Sequence, residues 1–338
     1  SAVRKPTRAI VLTTLLLLAA CGGRGVQEGP PEDETLLRDA QAAEGALRLD
    51  QPESAARLYA RALERARERD DPAAIDSMAF GQATAALAHG DAAGALAVSS
   101  EVREGLARRG LAVSPGLLLA EATANFRLGR LNEADRLGRA VTSRADDAAA
   151  ARRGWFLLGL IAGARGDAAG VATARAALGE ATVPAFRADI IELEATAALL
   201  RGDAAFAAAR ADAAAGLRQV NVDYRGLSRA LALQGIALSN LGDRDRAADL
   251  LLRAGRSAAE RGETADARLW LTQASTFGAG RPDIQSAIRQ VRVRMEAAAP
   301  SPGLPGEGRG GGLPAPSAVR ALTPMASTTF QPDAPARR

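Results

Sequence analysis

Apolar positions recur along this chain at helical spacing. From Glu34 to about Ala297, Ala- and Leu-rich stretches set their apolar residues three and four apart. The stretches come in pairs, and a short turn, often Gly-Asp, separates the two members. These turns fall at Asp50, Gly90, Gly129, Gly166, Gly202 and Gly242, at intervals of 40, 39, 37, 36 and 40 residues. A fixed period of this size marks a repeat architecture. Each unit is predicted to be a helix–turn–helix. Glycine ends the first helix, where a left-handed conformation is needed, and the following Asp caps the second by accepting backbone N–H bonds. Leu49-Asp50, Gly90-Asp91, Gly166-Asp167, Gly202-Asp203 and Gly242-Asp243 carry this signature wholly or in part.

Within the units, small and large residues alternate in a fixed order. One unit reads Leu231, Gly235, Leu238, Gly242, Asp243, Ala247, Leu251, Ala254. Another reads Trp155, Leu158, Gly159, Gly166, Asp167 and then places Val171 where a small residue is expected. The small positions also recur as Ala195, Gly202, Ala207 and Ala214; as Ala83, Gly90 and Ala95; as Ala122, Gly129 and Ala134; and as Ala43, Ala55 and Ala62 with Tyr59. Ala or Gly there lets two helices approach closely while larger residues fill the gaps. This order resembles the tetratricopeptide repeat, over about three quarters of the chain. The period exceeds the ~34 residues of that family, and its large aromatic positions are mostly Ala or Leu here. A HEAT-type solenoid is the structural alternative. The resemblance implies an all-α fold: a right-handed α-solenoid of about six to seven helix–turn–helix repeats. The segment from Glu263 to Ala297 fits the pattern poorly and reads as a C-terminal helical cap with a polar outer face.

The first twenty-one residues follow a different pattern. Arg4, Lys5 and Arg8 precede an apolar run, Ala9–Ala20, broken only by Thr13 and Thr14. Twelve residues are too few to span a ~30 Å hydrocarbon core, but they suit a secretory signal peptide. The run ends Leu18-Ala19-Ala20-Cys21, which resembles the bacterial lipobox. That resemblance implies diacylglycerol on the Cys21 thiol, cleavage before it, and acylation of the new amine, by palmitate or a similar chain. Two or three acyl chains make a stable anchor, at ~0.8 kcal/mol per buried methylene. Gly22 at the next position, where Asp would imply inner-membrane retention, points to the outer membrane. The expected organisation is a signal peptide over 1–20, lipidated Cys21 and a flexible Gly/Pro-rich tether over 21–33, the solenoid over 34–297, and a tail over 298–338. The tail holds eight of the sixteen prolines and a Gly-rich run, and is expected to be disordered.

Composition narrows the function. Aromatics are 3% of 338 residues, against 47% hydrophobics that are largely Ala, which excludes a β-sandwich or barrel and disfavours an aromatic-lined cavity. The net charge is +4, but the leader contributes three cations, and the tail four cations and two acids. The body is left with 36 basic and 37 acidic residues. With no basic stripe to neutralise phosphates, nucleic acid is not expected as a partner. One His, His89, sits at a helix end, and the one Cys is the lipobox residue. No zinc site, Ser-His-Asp triad or Cys-His pair can be built from these, so no enzyme, metal or cofactor is expected. Arg57, Arg61, Glu64, Arg65 and Glu68 read as solvated pairs along one helix. The Gly-rich run around Arg309 lacks the strand and Gly-Lys-Ser/Thr of a phosphate loop.

A solenoid of the resembled family presents its first helices on a concave face that binds peptides or helices. In the phase above, that groove would be lined by Phe80, Thr84, Leu87, Phe126, Arg127, Arg153, Phe156, Glu192, Thr196, Arg229 and Asn240. Aromatic and Arg side chains are common interface anchors, although the three Phe could equally pack between repeats. No lysine follows Lys5, so the carboxylate clamp of the family's chaperone-binding members is not expected. The function expected is a lipid-anchored adaptor in the bacterial cell envelope. It would face the periplasm and bind a protein partner of a secretion, pilus, outer-membrane assembly or peptidoglycan machine. A small-molecule or glycan-binding protein, or an enzyme on the same solenoid, is the alternative.

Overall fold

The computed structural model describes residues 33–144, 147–181 and 183–298. The expected signal peptide, Cys21, the tether up to residue 32 and the tail from 299 lie outside the described residues. The described residues form helices joined by short turns, with no strand among them. In chain order the helices are α1 (Glu34–Arg48), α2 (Pro52–Glu68), α3 (Pro72–Ala88), α4 (Ala92–Arg108), α5 (Pro115–Arg127), α6 (Leu131–Thr142) and α7 (Ala148–Ala164). They continue as α8 (Ala168–Leu178), α9 (Pro184–Leu200), α10 (Ala204–Val220), α11 (Tyr224–Asn240), α12 (Arg244–Glu260), α13 (Thr264–Phe277) and α14 (Pro282–Ala298). Among the described residues these make seven hairpins, and the chain is an α-solenoid of helix–turn–helix units.

The Gly-Asp turns work through both residues. Gly90 takes φ +93° and bonds its N–H to Leu87 O, while Asp91 N–H bonds Ala86 O at 2.9 Å, a Schellman closure of α3. The Asp91 carboxylate then accepts from Gly94 N–H at 2.7 Å and starts α4. Asp167, Asp203 and Asp243 cap α8, α10 and α12 in the same way. Asp50 differs from the sequence reading. It occupies the left-handed position itself, at φ +55°, and Gln51 precedes α2 without a side-chain cap. The same turn chemistry recurs between hairpins, where Asp71, Ser114, Asp147 and Asp223 cap α3, α5, α7 and α11.

Each helix packs on the next, and α3, α5, α7, α9 and α11 also pack successively on one another. These five helices therefore form an inner layer, which explains their composition. α11 buries residues all round, from Arg225 to Leu238, whereas α12 buries only one stripe, including Ala247, Leu251, Ala254 and Ala258. Close approach depends on small residues. A Cβ on Gly159 would lie 2.7 Å from Leu193 and 3.1 Å from Ala174. The last hairpin closes the stack: Ile284, Ile288 and Val291 of α14 are buried against α12 and α13, and Arg289, Arg292, Arg294 and Glu296 face outward.

On the outer surface Arg65 pairs with Glu68 inside α2, as the sequence predicts, and Arg57 pairs with Glu53. Arg61 instead reaches Asp39 of α1 at 2.8 Å, and Arg67 bridges Glu64 and Glu101 of α4. Helix-surface charges thus tie neighbouring helices as well as turns of one helix.

Candidate functional site

The inner face of α5, α7, α9 and α11 is charged. Its centre is Glu192 of α9, fully buried, whose carboxylate takes three guanidinium N–H groups. Arg229 Nε donates to Oε1 at 2.6 Å, and an Nη2 from each of Arg229 and Arg218 reaches Oε2, at 3.0 and 2.7 Å. Arg218, at the end of α10, also holds Asp189 at 2.6 Å and Asp223 at 2.9 Å. The ring of Phe156 lies 5.6 and 5.7 Å from the two guanidinium carbons, so both cations rest against its π face. Thr196 Oγ1 donates to Glu192 O at 2.9 Å.

Burial pulls Arg218 toward neutrality, but Asp189, Glu192 and Asp223 outweigh it and hold the guanidinium above its usual range. Burial likewise lifts Asp189 to about 6, against the opposing pull of Arg218.

A second cluster lies where the solenoid meets itself. Arg225 of α11 pairs with Glu263 at 2.7 Å through one nitrogen. Through the other it donates to the carbonyl of Ala88, at the C-terminal end of α3 and 137 residues away in the chain. Arg127 of α5 donates to Leu87 O, one residue earlier in α3. Two guanidinium groups thus meet carbonyls at the C-terminal end of α3, where the helix dipole favours a cation.

The backbones also touch at this seam. A Cβ on Gly90 would fall 2.8 Å from Arg261 O, and one on Gly262 would fall 2.8 Å from His89 O. Arg261 stacks on Tyr224 at 4.5 Å and lies 3.8 Å from Asp50. Behind the seam is Asp266 of α13, which is 6% exposed. Its Oδ1 accepts no hydrogen bond among the described residues. Burial first, then the charge of Glu263, push its carboxyl up to about 8, against Arg127, Arg229 and Arg225.

The sequence-derived groove residues thus fall into three groups. Glu192, Thr196, Arg229 and Phe156 meet in the central cluster, and Arg127 and Leu87 meet at the seam. Thr84 is buried on α3, one turn before Leu87. The remaining four lie apart: Phe126 is only 1% exposed, in the apolar core of α5 to α9; Phe80 is half-buried on the core of α1 to α5; Arg153 is half-buried on α7; and Asn240 is exposed at the end of α11. Phe126 and Phe156 are interior side chains, not surface anchors.

Asp189, Arg218, Asp223, Arg225, Glu263 and Asp266 join the two clusters without having been singled out by the repeat pattern. The available signal was charge inside otherwise apolar helical stretches, as in Ala188-Asp189-Ile190-Ile191-Glu192-Leu193.

Other chemistry is sparse. His89 ends α3 with Nδ1 3.0 Å from Ala85 O. Among the described residues no group of three or more His, Cys, Asp or Glu is placed to hold a metal, and no helix is long and apolar enough to cross a membrane. Cavities of about 420 and 510 Å³ are lined in part by charged groups, Arg61, Glu64, Arg67 and Glu101 in one, and Asp212, Arg246, Asp249 and Arg253 in the other. Neither includes a residue of the two clusters above.

No protein-family model matches the sequence, and no curated protein matches it. Among solved structures, the chain is similar to a tetratricopeptide repeat protein from Parabacteroides merdae, with a TM-score of 0.46 at 12% identity over 77% of this chain and all of that one. It is similar to a Rap protein complexed with Competence and Sporulation Factor, with a TM-score of 0.46 at 11% identity over 78% of this chain and 89% of that one. A third likeness is to the TPR2AB domain of yeast Sti1 in a complex with an HSP90 peptide, with a TM-score of 0.31 at 16% identity over 77% of this chain and 98% of that one. The assignment as a helix–turn–helix solenoid rests on the hairpins themselves.

Proposed function

We propose that this chain is a lipid-anchored scaffold of the bacterial cell envelope that captures a protein segment on its charged inner face. The anchor half rests on the order of Arg4, Lys5 and Arg8, the apolar run and Leu18-Ala19-Ala20-Cys21, with Gly22 favouring the outer membrane. The observation that carries the binding half is the gathering of Arg127, Glu192, Arg225, Arg229 and Asp266 from four odd-numbered helices onto one face. Packing alone does not ask for them. Buried ion pairs are often no more stabilising than apolar residues of similar volume, and the buried clusters that join neighbouring hairpins are mostly Ala and Leu. Buried charges that can exchange partners suit recognition of a polar or acidic segment. The anchors of this reading are the Arg side chains, not Phe126 or Phe156.

Two measurements test the two halves. Palmitate labelling of the native chain and of Cys21→Ser is expected to mark only the native one; an unlabelled native chain defeats the anchor. Crosslinking from membranes is expected to capture a defined partner that is lost in Arg127→Gln/Arg225→Gln. Capture unchanged by those substitutions removes the inner face from the reading.

A further inference from the structure

We propose that the contact between the α3–α4 turn and the α12–α13 turn is a latch: it holds the run of hairpins closed on itself, and its release opens the solenoid while every hairpin stays folded. Three observations carry this.

The first is that the seam has no apolar core. The buried hydrophobic clusters follow the chain, one from Leu36 to Ala124, one from Leu119 to Ala197 and one from Ile191 to Val291. None joins α1–α4 to α11–α14. Every junction between neighbouring hairpins buries aliphatic side chains, whereas the seam is built from polar groups.

The second is the kind of contact made there. Arg225 donates to the carbonyl of Ala88, which lies in the last turn of α3. Arg261 faces Asp50, whose side chain is 75% exposed. Water can replace each of these contacts when the turns part, so opening leaves no apolar surface that must find new cover.

The third is that the backbone fit is specific. Gly90 and Gly262 each leave room for the other turn, and a Cβ on either would meet a backbone carbonyl at 2.8 Å. Glycine at Gly202 or Gly242 serves only its own turn, with nothing within 4 Å of an added Cβ. At the seam, glycine also serves the fit between two turns far apart in sequence.

The latch stands on these contacts alone. Its use, controlling access to the inner face, rests on the reading of that face as the capture surface. The test therefore needs no partner. In the full chain carrying Cys21→Ser, spin labels are placed on Leu49→Cys and Glu260→Cys, both exposed and flanking the Asp50–Arg261 pair. A control pair, Arg130→Cys and Glu180→Cys, sits on exposed positions of neighbouring hairpins away from the seam. Distances are read by double electron–electron resonance, and helix content by circular dichroism, with and without Arg225→Gln or Gly90→Ala.

The expected result is a narrow, short seam distance in the parent. It lengthens and broadens in both latch variants, with the control distance and helix content unchanged. A seam distance already broad in the parent, or one that stays short in both variants, overturns the latch. Loss of helix content together with the control distance also overturns it, because the seam would then be part of the cooperative fold. If crosslinking to a partner fails while the labels move, the capture reading falls and the latch stands.

Discussion

Gly90 and Gly262 meet turn against turn: each lies where a side chain on the other would have to go, with the carbonyls of Arg261 and His89 2.8 Å from the two missing Cβ atoms. Both residues have positive φ, +93° and +73°. Any L residue there pays for left-handed backbone, roughly 1–2 kcal/mol. At the seam it must also displace a backbone carbonyl. Gly242 supplies the comparison, because its φ is +89° and nothing lies within 4 Å of an added Cβ. Gly242→Ala is expected to lower stability by about 1 kcal/mol, the backbone cost alone. Gly262→Ala is expected to lose more than Gly242→Ala if the seam is closed in solution, and the same amount if it is open. Urea unfolding of the three proteins measures the difference.

Glu192 pairs with two guanidinium groups at once and bridges Arg218 and Arg229. Glu192→Ala takes the carboxylate that Arg229 holds and one of the three that Arg218 holds, and a loss of about 3–5 kcal/mol is expected. The double variant Glu192→Met/Arg229→Met removes both charges and restores much of the volume. It is expected to be more stable than Glu192→Ala, so the two sites are strongly non-additive in a double-mutant cycle. Equal losses in the single and double variants would show that packing, not charge, holds this centre.

The seam and its charges give the fold a pH dependence. Asp266 sits at about 8 in the fold, above its ordinary value of 3.8, because burial and then Glu263 disfavour its charge. The folded chain therefore keeps a proton that the unfolded chain releases, and from about pH 4 to about pH 8 stability falls as pH rises. Arg127, Arg225 and Arg229 face the same carboxylate and reduce this slope without reversing it. Asp266→Asn removes the ionisation and keeps the shape. It is expected to be more stable than the native chain at pH 8 and nearly equal to it at pH 4, as measured by denaturant unfolding at both values. A variant less stable than the native chain at pH 8 would show that the ionised carboxylate is a net stabilising partner of the three arginines.

Much of this architecture is legible in the sequence, because its determinants are local. Gly90-Asp91 specifies a turn through one residue free to be left-handed and one able to cap, and neither depends on the rest of the chain. The alternation of inner and outer helices is legible for a similar reason: α12 shows a stripe, whereas α3 is small or apolar nearly all round.

The seam is not legible. It depends on small rotations summed over several hairpins, and no local signal pairs Arg225 with Ala88. The place of Phe156 follows from a shorter sum: α7, α9 and α11 pack successively, and that packing sets its ring against Arg218 and Arg229. The charges could have been read as a clue, since Asp189 and Glu192 interrupt an apolar stretch at a point where solvent would be an odd destination.

Val222 is where turn chemistry and residue type conflict. It joins α10 to α11 at φ +56°, a position filled by Gly110, Gly262 and, at φ +49°, Asp70 in other turns between hairpins. A β-branched side chain is the worst choice for left-handed backbone, because its Cβ substituents crowd the neighbouring peptide. The side chain gains little in return, since it is 63% exposed. The Asp223 cap of α11 depends on the adjacent carboxylate and is unaffected by the change. Val222→Gly is therefore expected to raise stability by about 1 kcal/mol, even though glycine adds freedom to the unfolded chain. Thermal unfolding measures this directly. A fall in Tm would mean that the contacts of Val222, or the freedom glycine adds to the unfolded chain, outweigh the backbone strain, and Val222→Asn would then separate the terms. Asparagine tolerates left-handed backbone and lacks the branched methyls, so it would relieve the strain without adding glycine's freedom.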